Sequence, residues 1–143
     1  VILLIMEIMD KLVVAGRFKN LDTIARFFAE AAQTAGLDER AIYAVQIAVD
    51  EACSNIIEHA YGGEGDDPIE CSYQITDCGL VIILHDYGTP FDPNRIPNPA
   101  LDTALEDRTV GGLGVYLIRQ VMDQVRFEST ADAGNILTMV KCR

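Results

Sequence analysis

Asp50-Glu51-Ala52-Cys53-Ser54-Asn55-Ile56-Ile57-Glu58-His59-Ala60-Tyr61 is the stretch from which the rest of the chain is read. Glu51, Asn55 and His59 recur every four residues, a spacing that stacks them on one face of a helix, one turn apart. A carboxylate, an amide and an imidazole stand out in a segment otherwise rich in Ala, Val and Ile. Alone, the column has two readings. It is the solvated face of a surface helix, with His59 near the helix end where the dipole favours it. Or it is a site, with a carboxylate that orients or deprotonates a nucleophile and an amide oxygen that ligates a hard cation such as Mg²⁺.

Outward from that helix, the periodicity predicts alternating layers. A first strand is expected near 8–17. Leu21, Ile24, Ala25, Phe28, Ala31 and Ala32 repeat at three and four, giving an amphipathic helix capped by Asn20 or Asp22 and ended by Gly36. Asp38 caps the helix that carries the column, and Gly62-Gly63 stops it. Segments 69–76 and 80–85 read as a hairpin around Asp77-Cys78-Gly79, 115–122 as a third helix, and 125–129 with 136–141 as closing strands around Ala133-Gly134-Asn135. Four of the five prolines fall between, at 90, 93, 97 and 99, so about 88–112 is expected to be a lid, with a short helix near 101–106. The order predicts an α+β fold: a two-layer sandwich of a mixed, mainly antiparallel sheet with helices on one face, as a single domain over 1–143.

Composition narrows the function classes. Of 143 residues, 50% are apolar, which suits a folded core. The formal net charge of −11 repels a phosphate backbone and argues against direct nucleic-acid binding. Cys53, Cys71, Cys78 and Cys142 form no C-x-x-C pair and are read as reduced thiols of a cytoplasmic protein. The apolar start, 1–6, is too short to span a bilayer and carries no basic segment ahead of it, so no membrane association is expected. The first residue, Val1, is compatible with an alternative start codon, a processed terminus or a piece of a longer protein.

Two further motifs complement the column. In His85-Asp86-Tyr87-Gly88-Thr89-Pro90-Phe91, a carboxylate at the end of an apolar strand can accept a hydrogen bond from an amino group, and Gly88 permits close backbone approach; an ordinary Asp-x-Gly turn has the same appearance. Val110-Gly111-Gly112-Leu113-Gly114-Val115 runs into a helix, where free N–H groups and the positive end of the dipole suit a phosphate; a hinge is the alternative. No Lys-Ser/Thr follows, so this is not a P-loop. Together the three segments supply a cation ligand with a base, an amino-group acceptor and a phosphate cradle. That is the inventory of an Mg-ATP site.

The set resembles the GHKL ATPase superfamily. Glu51-x-x-x-Asn55 is similar to its N box, Asp86-x-Gly88-x-x-Phe91 to its first glycine box, and Gly112-x-Gly114 to its second. Within it, Glu51-Ala52-x-x-Asn55 with His59-Ala60-Tyr61, and Gly111-Gly112-Leu113-Gly114 with Leu117-Ile118 and Met122-Asp123, resemble the bacterial anti-sigma-factor serine/threonine kinases. The resemblance implies that Asn55 ligates Mg²⁺, that Glu51 is the general base, and that Asp86 accepts the adenine amino group with Gly88 giving room. It implies that Gly112 and Gly114 bind phosphate, His59 lines the phosphate side, Arg108 reaches the terminal phosphate and Thr138 lies beside adenine. It further implies a sigma factor and an anti-sigma antagonist as partners, and a homodimer formed through the sheet or the N-terminal segment. Two other functions fit the same residues: a nucleotide-gated binding module without catalysis, and the ATPase module of a larger signalling regulator. A complete histidine kinase is not expected, because no histidine stands in a phospho-acceptor context.

Overall fold

The computed structural model describes residues 10–90 and 112–143. They form strand β1 (Asp10–Ala15), helix α1 (Leu21–Thr34), helix α2 (Glu39–Asn55), strands β2 (Pro68–Ile75) and β3 (Gly79–Asp86), helix α3 (Gly112–Val121), and strands β4 (Gln124–Thr130) and β5 (Gly134–Cys142). The sheet order is β1-β2-β3-β5-β4. Every pairing among the described residues is antiparallel, so the α+β expectation holds with no parallel pair.

The layers follow from side-chain periodicity. Leu80, Ile82, Leu84 and Asp86 are the buried alternate residues of β3, and Leu137 and Met139 are those of β5. Onto that face pack Ile24 and Phe28 of α1, Val45 and Val49 of α2, and Ile118 of α3, all essentially inaccessible to solvent. Apolar area removed from water, at about 25 cal/mol per Å², is the main force holding helices to sheet.

Helix ends are set locally. The Asp38 carboxylate accepts the Ala41 N–H at 2.8 Å and caps α2. Gly36, at φ +82°, ends α1, with the Leu37 N–H reaching back to Ala32 O at 3.0 Å. Asn20 does not cap α1 through its side chain, as the sequence suggested. Its amide instead donates to Ala15 O at 2.8 Å and ties the helix entry to β1. Beyond Asn55, α2 widens into a π turn over Ile56–Ala60, and the Tyr61 N–H reaches Ile56 O at 2.9 Å. Such widened turns recur at functional sites.

The cysteines correct the expectation of four free thiols. Cys53 and Cys71 are buried and free; burial pushes both thiols up, that of Cys71 to about 12, so they act as core residues. Cys78 and Cys142 form a disulfide. The register Gly79↔Cys142 brings the β2–β3 turn against the end of β5, with the two Cα atoms 5.0 Å apart. A separation of 64 residues hides that pairing from the sequence. Among the described residues, no helix is long and apolar enough to cross a membrane.

The lid and the short helix expected at 101–106 lie outside the described residues for the most part, as do Phe91, Arg108, Gly111 and the apolar segment 1–6.

Candidate functional site

Between the end of α2 with its π turn, Ile118 of α3, the Asp86 end of β3 and the β4–β5 hairpin lies a cleft of about 60 Å³ that opens to solvent. Its walls are mainly apolar, from Ala52, Ile56, Ile118, Phe127 and Leu137, and its polar groups come from Asn55, His59, Asp86, Glu128, Ser129 and Asn135. Apolar walls with a few convergent polar groups suit a flat organic ring.

The structure divides the helical column. Asn55 and His59 both line the cleft. Glu51 is one turn earlier and meets α3 instead. A Cβ placed on Gly114 would lie 3.0 Å from Glu51 Oε2 and 3.3 Å from Asn55 Nδ2. Any side chain there would press on both polar groups, so the glycine lets the start of α3 sit directly over them. Glu51, Asn55 and Gly114, 59 positions apart from Asn55 to Gly114, are thus one cluster. Gly112 is the first residue of α3. His59 also lies 3.9 Å from the Glu58 carboxylate.

Asp86 is 5% exposed, the most deeply buried carboxylate of the cleft. Its Oδ1 accepts the Gly88 N–H at 2.9 Å and the Asn135 side-chain amide at 2.8 Å. Gly88 makes the close backbone approach the sequence suggested, but the neighbour is the π turn. A Cβ on Gly88 would stand 2.3 Å from Ala60 O and 2.8 Å from Ala60 Cβ, and the Thr89 N–H donates to the same carbonyl at 2.8 Å. Gly88→Ala should therefore destabilise the protein by about 3 kcal/mol, since backbone atoms cannot step aside. Urea unfolding checks this, and a midpoint equal to wild type would show that β3 does not pack against the turn in this way.

Behind Asp86, Tyr61 joins the π turn to the sheet. Its hydroxyl donates to Pro68 O at 2.5 Å and accepts the Tyr87 N–H at 3.0 Å; burial pushes its phenol up. On the next residue, the Tyr87 hydroxyl donates to Glu70 at 2.5 Å and holds that carboxyl below its usual range. His85 binds Ala133 O, which fixes the β4–β5 turn beside Asp86.

Thr138 does not join the cleft. It pairs with Ile83 and Arg126, and Leu137 and Met139 on either side of it face the helices, so strand alternation turns Thr138 to the opposite face. Asn135, three residues earlier on β5, is the polar residue that lines the cleft. It faces Asp86 in the β3–β5 register, and the sequence showed it only as part of a turn.

Helices on one face of an antiparallel sheet, with a buried carboxylate at the mouth of the interlayer cleft, make up the GHKL-type ATPase fold. The chain belongs to the histidine kinase-like ATPase domain family, whose profile matches residues 14–141. It is 36% identical over 99 residues to the serine-protein kinase RsbW of Listeria innocua, an alignment covering 66% of this chain and 63% of that protein. It is 31% identical over 105 residues to RsbW of Bacillus velezensis, covering 68% and 62%. To RsbW of Halalkalibacterium halodurans it is 35% identical over 101 residues, covering 68% and 60%. The chain thus spans somewhat under two thirds of the length of these relatives.

Proposed function

We propose that the protein is an ATP-dependent serine/threonine protein kinase that acts as an anti-sigma factor and phosphorylates an anti-sigma antagonist. The observation that carries this reading is the meeting of Glu51 and Asn55 beneath Gly114, next to the cleft that holds Asp86. A binding-only site has no need of a carboxylate at the start of a phosphate-binding helix.

The residues present fit Mg-ATP. Asn55 offers a neutral amide oxygen beside the α3 N-terminus, and Mg²⁺ that keeps waters and phosphate oxygens needs little else from the protein. Bound there, Mg-ATP supplies the phosphoryl group, with the cation neutralising phosphate charge. Asp86 accepts the amino group of the purine, and the apolar walls hold the ring. The first-turn N–H groups of α3, at Gly112 and Gly114, face the phosphates, and the helix dipole favours their charge. Glu51 takes the proton from a serine or threonine hydroxyl as its oxygen bonds to phosphorus and ADP departs. His59 lines the same cleft, and the contact with the terminal phosphate that the family resemblance gives to Arg108 lies outside the described residues. The net charge of −11 suits a basic sigma-factor surface and disfavours direct contact with DNA.

Incubating the protein with Mg-ATP and its antagonist should give phosphoserine or phosphothreonine on the antagonist, read by mass spectrometry. Stoichiometric antagonist that stays unmodified, under conditions where calorimetry shows ATP bound, would end the kinase reading.

A further inference from the structure

The side chain of Asn135 is held at both ends. The Ser129 hydroxyl donates to its Oδ1 at 2.7 Å. That contact directs Nδ2 the other way, where it donates to Asp86 Oδ1 at 2.8 Å, Gly88 O at 3.2 Å and Thr89 O at 3.4 Å. An amide has two N–H groups, so one serves the carboxylate and the other is shared between the two carbonyls. Among the described residues, both hydrogen bonds to the carboxylate fall on Oδ1. Gly134, at φ +79°, lets the chain turn into this position; a Cβ there would stand 2.5 Å from Asp86 O.

We propose that Asn135 is a positioning residue for the nucleotide base: oriented by Ser129, its amide locks one oxygen of Asp86 and clamps the Gly88–Thr89 backbone, so that the other oxygen is presented to the purine amino group. This rests on the nucleotide reading above and adds a residue that acts through Asp86. A buried carboxylate free to rotate loses orientation with each turn about its side-chain bonds. A donor 2.8 Å from one oxygen removes that freedom before the base arrives. The same amide joins β5 to the first residues after β3, so base binding and the entry to the 88–112 segment share one hydrogen-bonding group.

The test uses the full chain and Mg-ATP, with affinity measured by calorimetry between pH 5 and 8. His59 and Glu128 also line the cleft, Tyr61, Tyr87 and Glu70 stand behind Asp86, and His85 binds the adjacent turn. Each variant is therefore compared with wild type at the same pH, which cancels their titration. Asn135→Ala should weaken Mg-ATP binding by about tenfold at every pH. Asn135→Asp should bind worse than Asn135→Ala at pH 8, where two carboxylates oppose each other. It should recover toward wild type at pH 5, where a shared proton restores a donor to Asp86. Ser129→Ala should weaken binding by a few-fold in the same direction. Without nucleotide, hydrogen exchange at the Gly88 N–H should quicken in Asn135→Ala. Should Asn135→Ala fail to fold, the pH profile of Asn135→Asp and the Ser129→Ala affinity carry the test. Variants that match wild type, or an Asn135→Asp ratio that does not change with pH, would overturn the role of Asn135 while wild-type binding stands. A wild type that does not bind Mg-ATP would instead remove the nucleotide reading beneath it.

Discussion

Glu51→Gln should lower phosphoryl transfer to a serine or threonine acceptor by about 10²- to 10⁴-fold, the range over which a positioned general base acts. Mg-ATP affinity should stay within about twofold of wild type, because glutamine matches glutamate in shape and adds no charge to the phosphate side. Packing supports the choice of substitution. Glu51 Oε2 stands 3.0 Å from where a Gly114 side chain would begin, so a longer or branched replacement would disturb α3, whereas an isosteric amide would not. What changes is the ability to take a proton. Single-turnover assays with the antagonist, paired with calorimetry, separate the two quantities. Equal rates for wild type and variant would favour a nucleotide-gated binding module, in which Glu51 only packs against α3.

Reduction of the Cys78–Cys142 disulfide should produce the largest loss of stability. Closing a loop of 64 residues removes chain entropy from the unfolded state, an effect of about 4 kcal/mol by the loop-length relation. In a chain of this size that corresponds to a fall in Tm of about 13 °C. Cys78→Ser and Cys142→Ser should each reproduce the loss, and a reductant should then have no further effect. Thiol counting offers an independent check. The folded, oxidised protein should show no readily labelled thiol among the four cysteines, because Cys53 and Cys71 are buried and their thiolates are disfavoured. Two rapidly labelled thiols at Cys78 and Cys142 in air-oxidised protein would refute the bridge. ATP binding should change little on reduction, since the disulfide is at the Gly79 end of β3 and the cleft is at the Asp86 end.

Most of the architecture was legible in the chain because it depends on local periodicity. The three-and-four repeat of Ile24, Phe28, Ala31 and Ala32 predicted α1, and the alternation of Leu80, Ile82 and Leu84 predicted β3. Asp38 and Gly36 act through neighbours within five residues, so their capping roles could be read without a structure. The site was legible only as an inventory. Glu51 and Asn55 share a helix, and Asp86 ends a strand, but their relation to Gly114 depends on how α2 and α3 pack.

Where the reading failed, the missing information was register. Thr138 and Asn135 are three residues apart on one strand, and both are polar. Opposite faces follow from a period of two, and which face meets the cleft follows from pairing Asp86 with Asn135. The same pairing carries Cys142 to Cys78. By itself, then, the sequence determined the elements, the sheet-and-helix layering and the types of group available for an Mg-ATP site, because backbone hydrogen bonding and side-chain periodicity act over a few residues. Only the tertiary structure decided that Gly114 sits over Glu51 and Asn55, that Asn135 holds Asp86 while Thr138 faces away from the cleft, and that two of the four cysteines are bonded. Those contacts join segments dozens of residues apart, and their geometry is set by strand pairing and helix packing rather than by any neighbour along the chain.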